Sequence, residues 1–380
     1  MVYRPDPATL AKKLDKVFCK KVKKNEIGNA AVSVFQDGQL LCRRFYGTTT
    51  LDGSEQPDEN SVFRLASMSK PITAVAVLMQ CQKGLLELDA PLHQYIPAFR
   101  EMHIAKAENG QVVTVQKAQT AITVRHLLTH TSGIGSGEVG MLQLNLMKRE
   151  QGENLEQAVQ FYASQPLAFE PGTKTDYSPL FAFDVLAYLV QLTAGKSYNE
   201  FLQTELFAPL GMTDTFFEPL GMQNEKIVYL HEQKDGKNAD ATPADGAMFP
   251  GVPNSRCCGG AGLAGTLCDY EKFAQMLLNG KTADGKTILT PESLAQMASA
   301  QVSEEIMPGA QKWGLGVRVI TGKGTYLPIG TFGWSGAYGT HYWTDPANGI
   351  AAVMMRNSTV DGGAGSRLGT KFEKIVYTSK

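Results

Sequence analysis

The chain has 380 residues, 43% of them hydrophobic and 19% charged, with a formal net charge of −1. That composition supports a large core and excludes a disordered chain; the near-neutral charge excludes a field that would steer it to nucleic acid or an anionic membrane. At roughly 100–200 residues per domain, the length suits two lobes.

Residues 8–24 place Leu10, Leu14, Val17, Phe18 and Val22 at helical spacing, with Lys20, Lys21, Lys23 and Lys24 near the end, where cations suit the helix dipole. This opening has no apolar h-region, and no run of about 18 apolar residues follows anywhere. The expectation is therefore a cytoplasmic protein, an exported form with its signal removed being the alternative. Ala30 to Phe35 and Gln39 to Tyr46 flank Asp37-Gly38, a strong hairpin signal. Pro71 to Cys81 reads as a helix apolar on most faces, which must be buried.

The middle, roughly 76–254, predicts helices at Val124–His130, Leu155–Ser164, Phe183–Thr193 and Asn199–Phe207. After Gly259 come helices at Asp269–Asn279 and Pro291–Ala300. β-rich runs follow at Trp313–Ile320, His341–Thr344 and Ile350–Arg356, then a last helix at Ser366–Tyr377. Strands at both ends and helices between predict a discontinuous α/β lobe, residues 1–66 and 255–380, holding an antiparallel sheet flanked by helices. An all-α lobe, residues 67–254, is inserted, with the cleft between the two. Cys19, Cys42, Cys81, Cys257, Cys258 and Cys268 fit neither a disulfide scaffold nor zinc-binding pairs and read as reduced thiols.

Three segments carry candidate chemistry. Ser67-Met68-Ser69-Lys70 is the only S-x-x-K in the chain; a chain this long holds about one by chance. Its context is more telling: it opens the buried helix, and i, i+3 spacing sets Ser67 and Lys70 on one face at the positive end of the dipole. A serine hydroxyl needs a base to become a nucleophile. A lysine serving as that base must titrate near about 7–8 rather than about 10.4. The plainer alternative is a capping serine beside a surface lysine. The second segment, Phe169 to Ser178, is a turn that sets Tyr177 at the lip of a helix, where a tyrosine either faces a cleft or fills an interface. The third, Gly333 to Gly339, has glycines that let backbone approach a ligand.

Other patterns were set aside. Gly260 to Gly265 fits G-x-G-x-x-G, but Asn254 to Cys258 before it is no strand. His126 and His130 stand at i, i+4 without the glutamate of a zinc helix. No G-x-S-x-G is present.

FRLASMSKPITA, GLLELDAPLHQYIPAF, TVRHLLTHTSG, FEPGTKTDYS and GGAGLAGTLCDYEKFAQMLLNG resemble, in order, blocks of class C β-lactamases, DD-peptidases and their carboxylesterase relatives. The resemblance spans about residues 25–360 and implies the two-lobe penicillin-recognition fold. It implies Ser67 as acyl-accepting nucleophile and Lys70 with Tyr177 as the base pair. It also implies the backbone N–H groups of Ser67 and Ala337 as the oxyanion hole. Trp334-Ser335-Gly336 falls where the family has Lys-Thr-Gly or His-x-Gly and is expected to bind substrate. Two departures stand out: Tyr177-Ser178-Pro179 replaces Tyr-x-Asn, and Trp334 replaces the lysine. Both are shared by some carboxylesterases of this fold, the family VIII esterases, the subgroup this sequence resembles most. The expected activity is hydrolysis of small neutral esters, without metal or cofactor and without nucleic-acid or membrane partners. The alternatives are a β-lactamase or DD-peptidase, an acyltransferase, or a non-catalytic binding protein of the same fold.

Overall fold

The computed structural model describes residues 2–147, 152–219 and 221–380, apart from the side chains of 221–223. Asp37 and Gly38 both take positive φ, 50° and 78°, the turn that matches the twist of a tight hairpin. They join β1 (Asn29–Gln36) to β2 (Gln39–Gly47). The rest of the sheet comes from the other end of the chain: β3 (Gln311–Trp313), β4 (Arg318–Ile320), β5 (Phe332–Ser335), β6 (His341–Asp345) and β7 (Ile350–Met355). The seven strands lie in the order β2-β1-β7-β6-β5-β4-β3, every neighbour antiparallel.

Helices cover both faces of the sheet. On one, Leu10, Leu14 and Phe18 of α1 (Pro7–Lys23) join residues of the C-terminal helix and pack on Val32, Val34, Trp343, Ala352 and Met354. On the other, Phe273, Ala274 and Leu277 of a later helix (Leu267–Asn279) pack on Ala31, Phe35, Tyr342, Ala351, Val353 and Met355. β7 therefore reads Ile-Ala-Ala-Val-Met-Met without alternation, because neither of its faces meets water. Asp6 caps α1 through Thr9 N–H, with Pro7 in the first turn.

The apolar segment expected as a buried helix forms α2 (Ser69–Gln82), buried from Ser69 through Gln80. Packed against it is α3 (Phe181–Ala194), which ends at Gly195 in the left-handed region. These two lead to α4 (Leu267–Asn279) and the terminal α5 (Arg367–Thr378).

Some expectations needed correction. Asn199–Phe207 is not one α-helix: Tyr198–Phe201 runs into a wider π-helical turn, Leu202–Phe207, just before Pro209, whose ring removes an N–H and pushes back the preceding turn. Trp313–Ile320 is two strands, β3 and β4, separated by a turn in which Gly316 takes φ 71°. Two further hairpins, His103–Glu108 with Gln111–Lys117 and His231–Lys234 with Lys237–Asp240, lie in the stretch expected to be helical.

Candidate active site

Val62–Arg64 pairs with Ala264–Thr266 and delivers the chain to a clamped turn. Arg64 N–H donates to Asn357 Oδ1 at 3.1 Å, and Leu65 N–H to Leu263 O at 2.9 Å. Thr340 Oγ1 donates to Leu65 O at 3.0 Å. Ala66 then takes φ 46°, a left-handed conformation that costs a non-glycine residue on the order of 1–3 kcal/mol. A 3₁₀ turn, Ala66–Met68, follows and runs into α2. Ser67 thus sits two residues ahead of the α-helix. Ala66 and Met68 are fully buried, while Ser67 keeps partial exposure.

Lys70, one turn on, is 1% exposed. Its Nζ donates to Pro179 O at 2.6 Å and Gly260 O at 2.8 Å and lies 3.4 Å from Ser67 Oγ. The two carbonyls fix the amine, leaving its remaining direction for the serine. The glycine run explains how Gly260 comes so close: a Cβ there would stand 2.9 Å from Pro179 O, and at Gly259 2.4 Å from Phe183 O. The glycines therefore serve backbone contact with the start of α3. Tyr177, on the loop before α3, places its hydroxyl 2.8 Å from Ser67 Oγ, with Lys70 Nζ 5.0 Å from its ring centre.

The tyrosine is held from behind by residues that the sequence did not single out for this purpose. His130 packs against it at a 45° tilt with ring centres 4.6 Å apart, and Trp313 lies 4.6 Å from His130. His130 Nδ1 accepts from Ser178 N–H at 3.2 Å, so the ring proton sits on Nε2. Burial, aided by the charge of Lys70, holds its pKa well below the usual histidine range. His126 instead faces Thr123, whose helix N-terminus it caps; the i, i+4 histidines thus have separate local roles. Trp313 Nε1 donates to Thr175 Oγ1 at 2.8 Å. Trp334 completes an aromatic wall, 4.8 Å from Trp313 and 5.8 Å from Tyr177.

Trp334, Ser335 and Gly336 do not all face the same way. Strand alternation turns Trp334 toward Tyr177 and sends the Ser335 side chain to the opposite face, where Oγ meets His341 Nδ1 at 2.8 Å. The grouping made from sequence therefore fails for the Ser335 side chain. Gly336 lies against the turn that carries Ser67: a Cβ would stand 2.3 Å from Leu65 O, so a side chain there would push the hairpin away. Next to it, Ala337 is exposed, and its N–H donates to no acceptor among the described residues. Ser67 N–H stands in the first turn of its helix, where intrahelical acceptors are lacking. Another residue missed from sequence, Arg356, is buried beneath this loop. A Cβ at Gly339 would stand 2.3 Å from its Nε, and its Nη2 donates to Asp361 O at 2.7 Å. Burial lowers its pKa to about 10.

The family profile described as Beta-lactamase matches residues 14–370. The chain belongs to the β-lactamase family. It is a serine hydrolase of that family, with the penicillin-binding-protein/β-lactamase fold. Esterase EstB of Burkholderia gladioli is 30% identical over 392 residues, covering 95% of this chain and 93% of that protein. The structure described as EstCE1, a hydrolase with promiscuous acyltransferase activity, superposes with a TM-score of 0.80 at 23% identity, covering 98% of this chain and 99% of that one. A family VIII carboxylesterase gives a TM-score of 0.75 at 18% identity, covering 98% of each chain. At those identities the two structures speak for the fold. All six cysteines of this β-lactamase-family chain are free, and no helix among the described residues is long and apolar enough to cross a membrane.

Proposed function

We propose that this hydrolase is a carboxylesterase for small neutral esters, working through an acyl-enzyme on Ser67. The observation that carries the reading is the convergence of Tyr177 Oη, at 2.8 Å, and Lys70 Nζ, at 3.4 Å, on Ser67 Oγ. In acylation Ser67 gives its proton to the Tyr177–Lys70 pair and its oxygen attacks the ester carbonyl. The tetrahedral oxyanion is received by the N–H groups of Ser67 and Ala337, a contribution worth about 2.7–4 kcal/mol per donor. The pair returns the proton to the leaving alkoxide. In deacylation the pair takes a proton from water, whose oxygen attacks the acyl carbonyl; as the intermediate collapses and the acid leaves, the pair returns that proton to Ser67 Oγ. The cleft is assigned to the junction of two lobes, 1–66 with 255–380 and 67–254, and the EstB relationship supports the ester.

Trp334 sets the substrate class. A penicillin carries a carboxylate beside its scissile ring. A charge-assisted hydrogen bond to such a group is worth about 1.5–3 kcal/mol, roughly 10- to 150-fold. Trp334 stands with Tyr177 and Trp313 as an apolar wall, and its Nε1–H meets no acceptor among the described residues. The test is steady-state kinetics on a short-chain nitrophenyl ester and on a penicillin. The expected kcat/KM favours the ester by at least about 100-fold, with Trp334→Lys narrowing the gap. Equal turnover of the penicillin by the native protein would replace this reading with a β-lactamase. A second reading, transfer of the acyl group to an alcohol instead of water, is favoured by the description of the EstCE1 structure. It is checked by adding an alcohol acceptor to the same assay.

A further inference from the structure

On the sheet face turned away from Tyr177, β4, β5, β6 and α5 line a second cavity of about 220 Å³. Its wall includes Arg318, Ser335, His341, Ser366, Thr370 and Glu373. Three of these form a chain: Ser335 Oγ lies 2.8 Å from His341 Nδ1, and His341 Nε2 lies 3.1 Å from Glu373 Oε1. Arg318, 9% exposed, approaches that same Oε1 at 3.6 Å. This is well beyond the roughly 2.7–2.9 Å of a closed charge-assisted bond. The Arg318 side chain makes no hydrogen bond among the described residues, and Glu373 Oε2 accepts none there. The unmatched atoms of this largely buried pair are not sealed in: they open onto the cavity and are available to a ligand's own charged groups.

We propose that this cavity binds a small zwitterion, an α-amino acid, with its carboxylate on Arg318 and its ammonium on Glu373. The charge balance selects the class. An anion alone would meet Arg318 under repulsion from Glu373, and a cation alone would meet Glu373 under repulsion from Arg318. A zwitterion completes both at once. The hydroxyls of Ser366 and Thr370 add polar wall, and the volume restricts the ligand to a small side chain. The site is separate from Ser67, because the Ser335 and Trp334 side chains project from opposite faces of β5, and it stands whether or not the esterase reading does.

The test is calorimetric titration and thermal unfolding of the whole chain with glycine, L-alanine and L-serine, set against acetate and ethylamine. L-Alanine is expected to bind at one site per chain and raise Tm in a concentration-dependent way. Acetate and ethylamine are expected to bind at least about 10-fold more weakly, and Arg318→Gln and Glu373→Gln each to weaken L-alanine at least about 10-fold. Should either variant fail to fold, crystals of the native protein soaked in L-alanine give the position, with density expected between Arg318 and Glu373. Acetate or ethylamine binding as well as L-alanine would overturn the proposal. So would density elsewhere, or no saturable binding of any amino acid.

Discussion

Ser67 and Ser335 each stand beside proton-accepting groups. Ser335, His341 and Glu373 follow one another as the members of a serine–histidine–carboxylate series do, whereas Ser67 has only a lysine and a tyrosine. The backbones reverse the ranking. Ser335 is 4% exposed and lies in a strand with paired neighbours on both sides. Ser67 follows a left-handed alanine at the start of a helix, partly exposed, with an N–H free for a ligand. On the proposed assignment, the serine that reacts is the one the backbone turn presents beside unpaired N–H groups, not the one whose side-chain neighbours follow the serine–histidine–carboxylate order.

The comparison breaks most sharply by deletion. Ser67→Ala is expected to lose at least about 10³-fold in kcat/KM on a short-chain nitrophenyl ester, as nucleophile removal does in serine hydrolases. Ser335→Ala is expected to lose less than about 10-fold. A large loss at Ser335 with little at Ser67 would exchange their roles. The next largest effect concerns the base. Tyr177→Phe and Lys70→Ala are each expected to lose at least about 100-fold. The double variant should lose little more than the worse single, because groups acting as one unit are not additive. Multiplied losses in that cycle would mean independent roles.

The smallest effect is on stability and concerns the support behind Tyr177. His130 is buried and neutral, with its pKa well below the usual value. Below about pH 6.5 the unfolded chain binds a proton that the native ring refuses, so stability falls as pH falls, by up to about 1.36 kcal/mol per pH unit for one group. His126 and His231 are lowered by burial in the same direction, so the contribution of His130 is read by difference. Urea unfolding at pH 7.5 and 5.5 should show the native protein losing about 1 kcal/mol more than His130→Gln over that interval. Equal losses would mean that the ring is not held neutral.

The sequence revealed some of these features more readily than others. Helices α2 and α3 and strand β7 were visible because burial on all sides leaves long apolar runs. Asp37-Gly38 was read as a hairpin because apolar strands flank it. Asn109-Gly110 and Asp235-Gly236 take the same pair of positive φ angles, yet His231–Lys234 and Lys237–Asp240 are largely polar, and His103–Glu108 and Gln111–Lys117 mix apolar and polar residues without sustained alternation. Ser67, Lys70 and Tyr177 were found through ordered blocks of resemblance. His130 and Arg356 were not, because a buried histidine and a buried arginine look like any others until the fold brings them beneath Tyr177 and Gly339. Trp334, Ser335 and Gly336 are grouped by the resemblance because the family's motif spans three consecutive positions, but a strand's period of two sends the Ser335 side chain to the face opposite Trp334.

The most direct measurement of the central claim is the location of the acyl group. The native protein is mixed with an activated short-chain ester, quenched in acid during turnover, digested and analysed by peptide mass spectrometry. One acyl addition is expected, on the peptide containing Ser67, absent in Ser67→Ala. An acyl group on the peptide containing Ser335, or full ester turnover by Ser67→Ala, would contradict it.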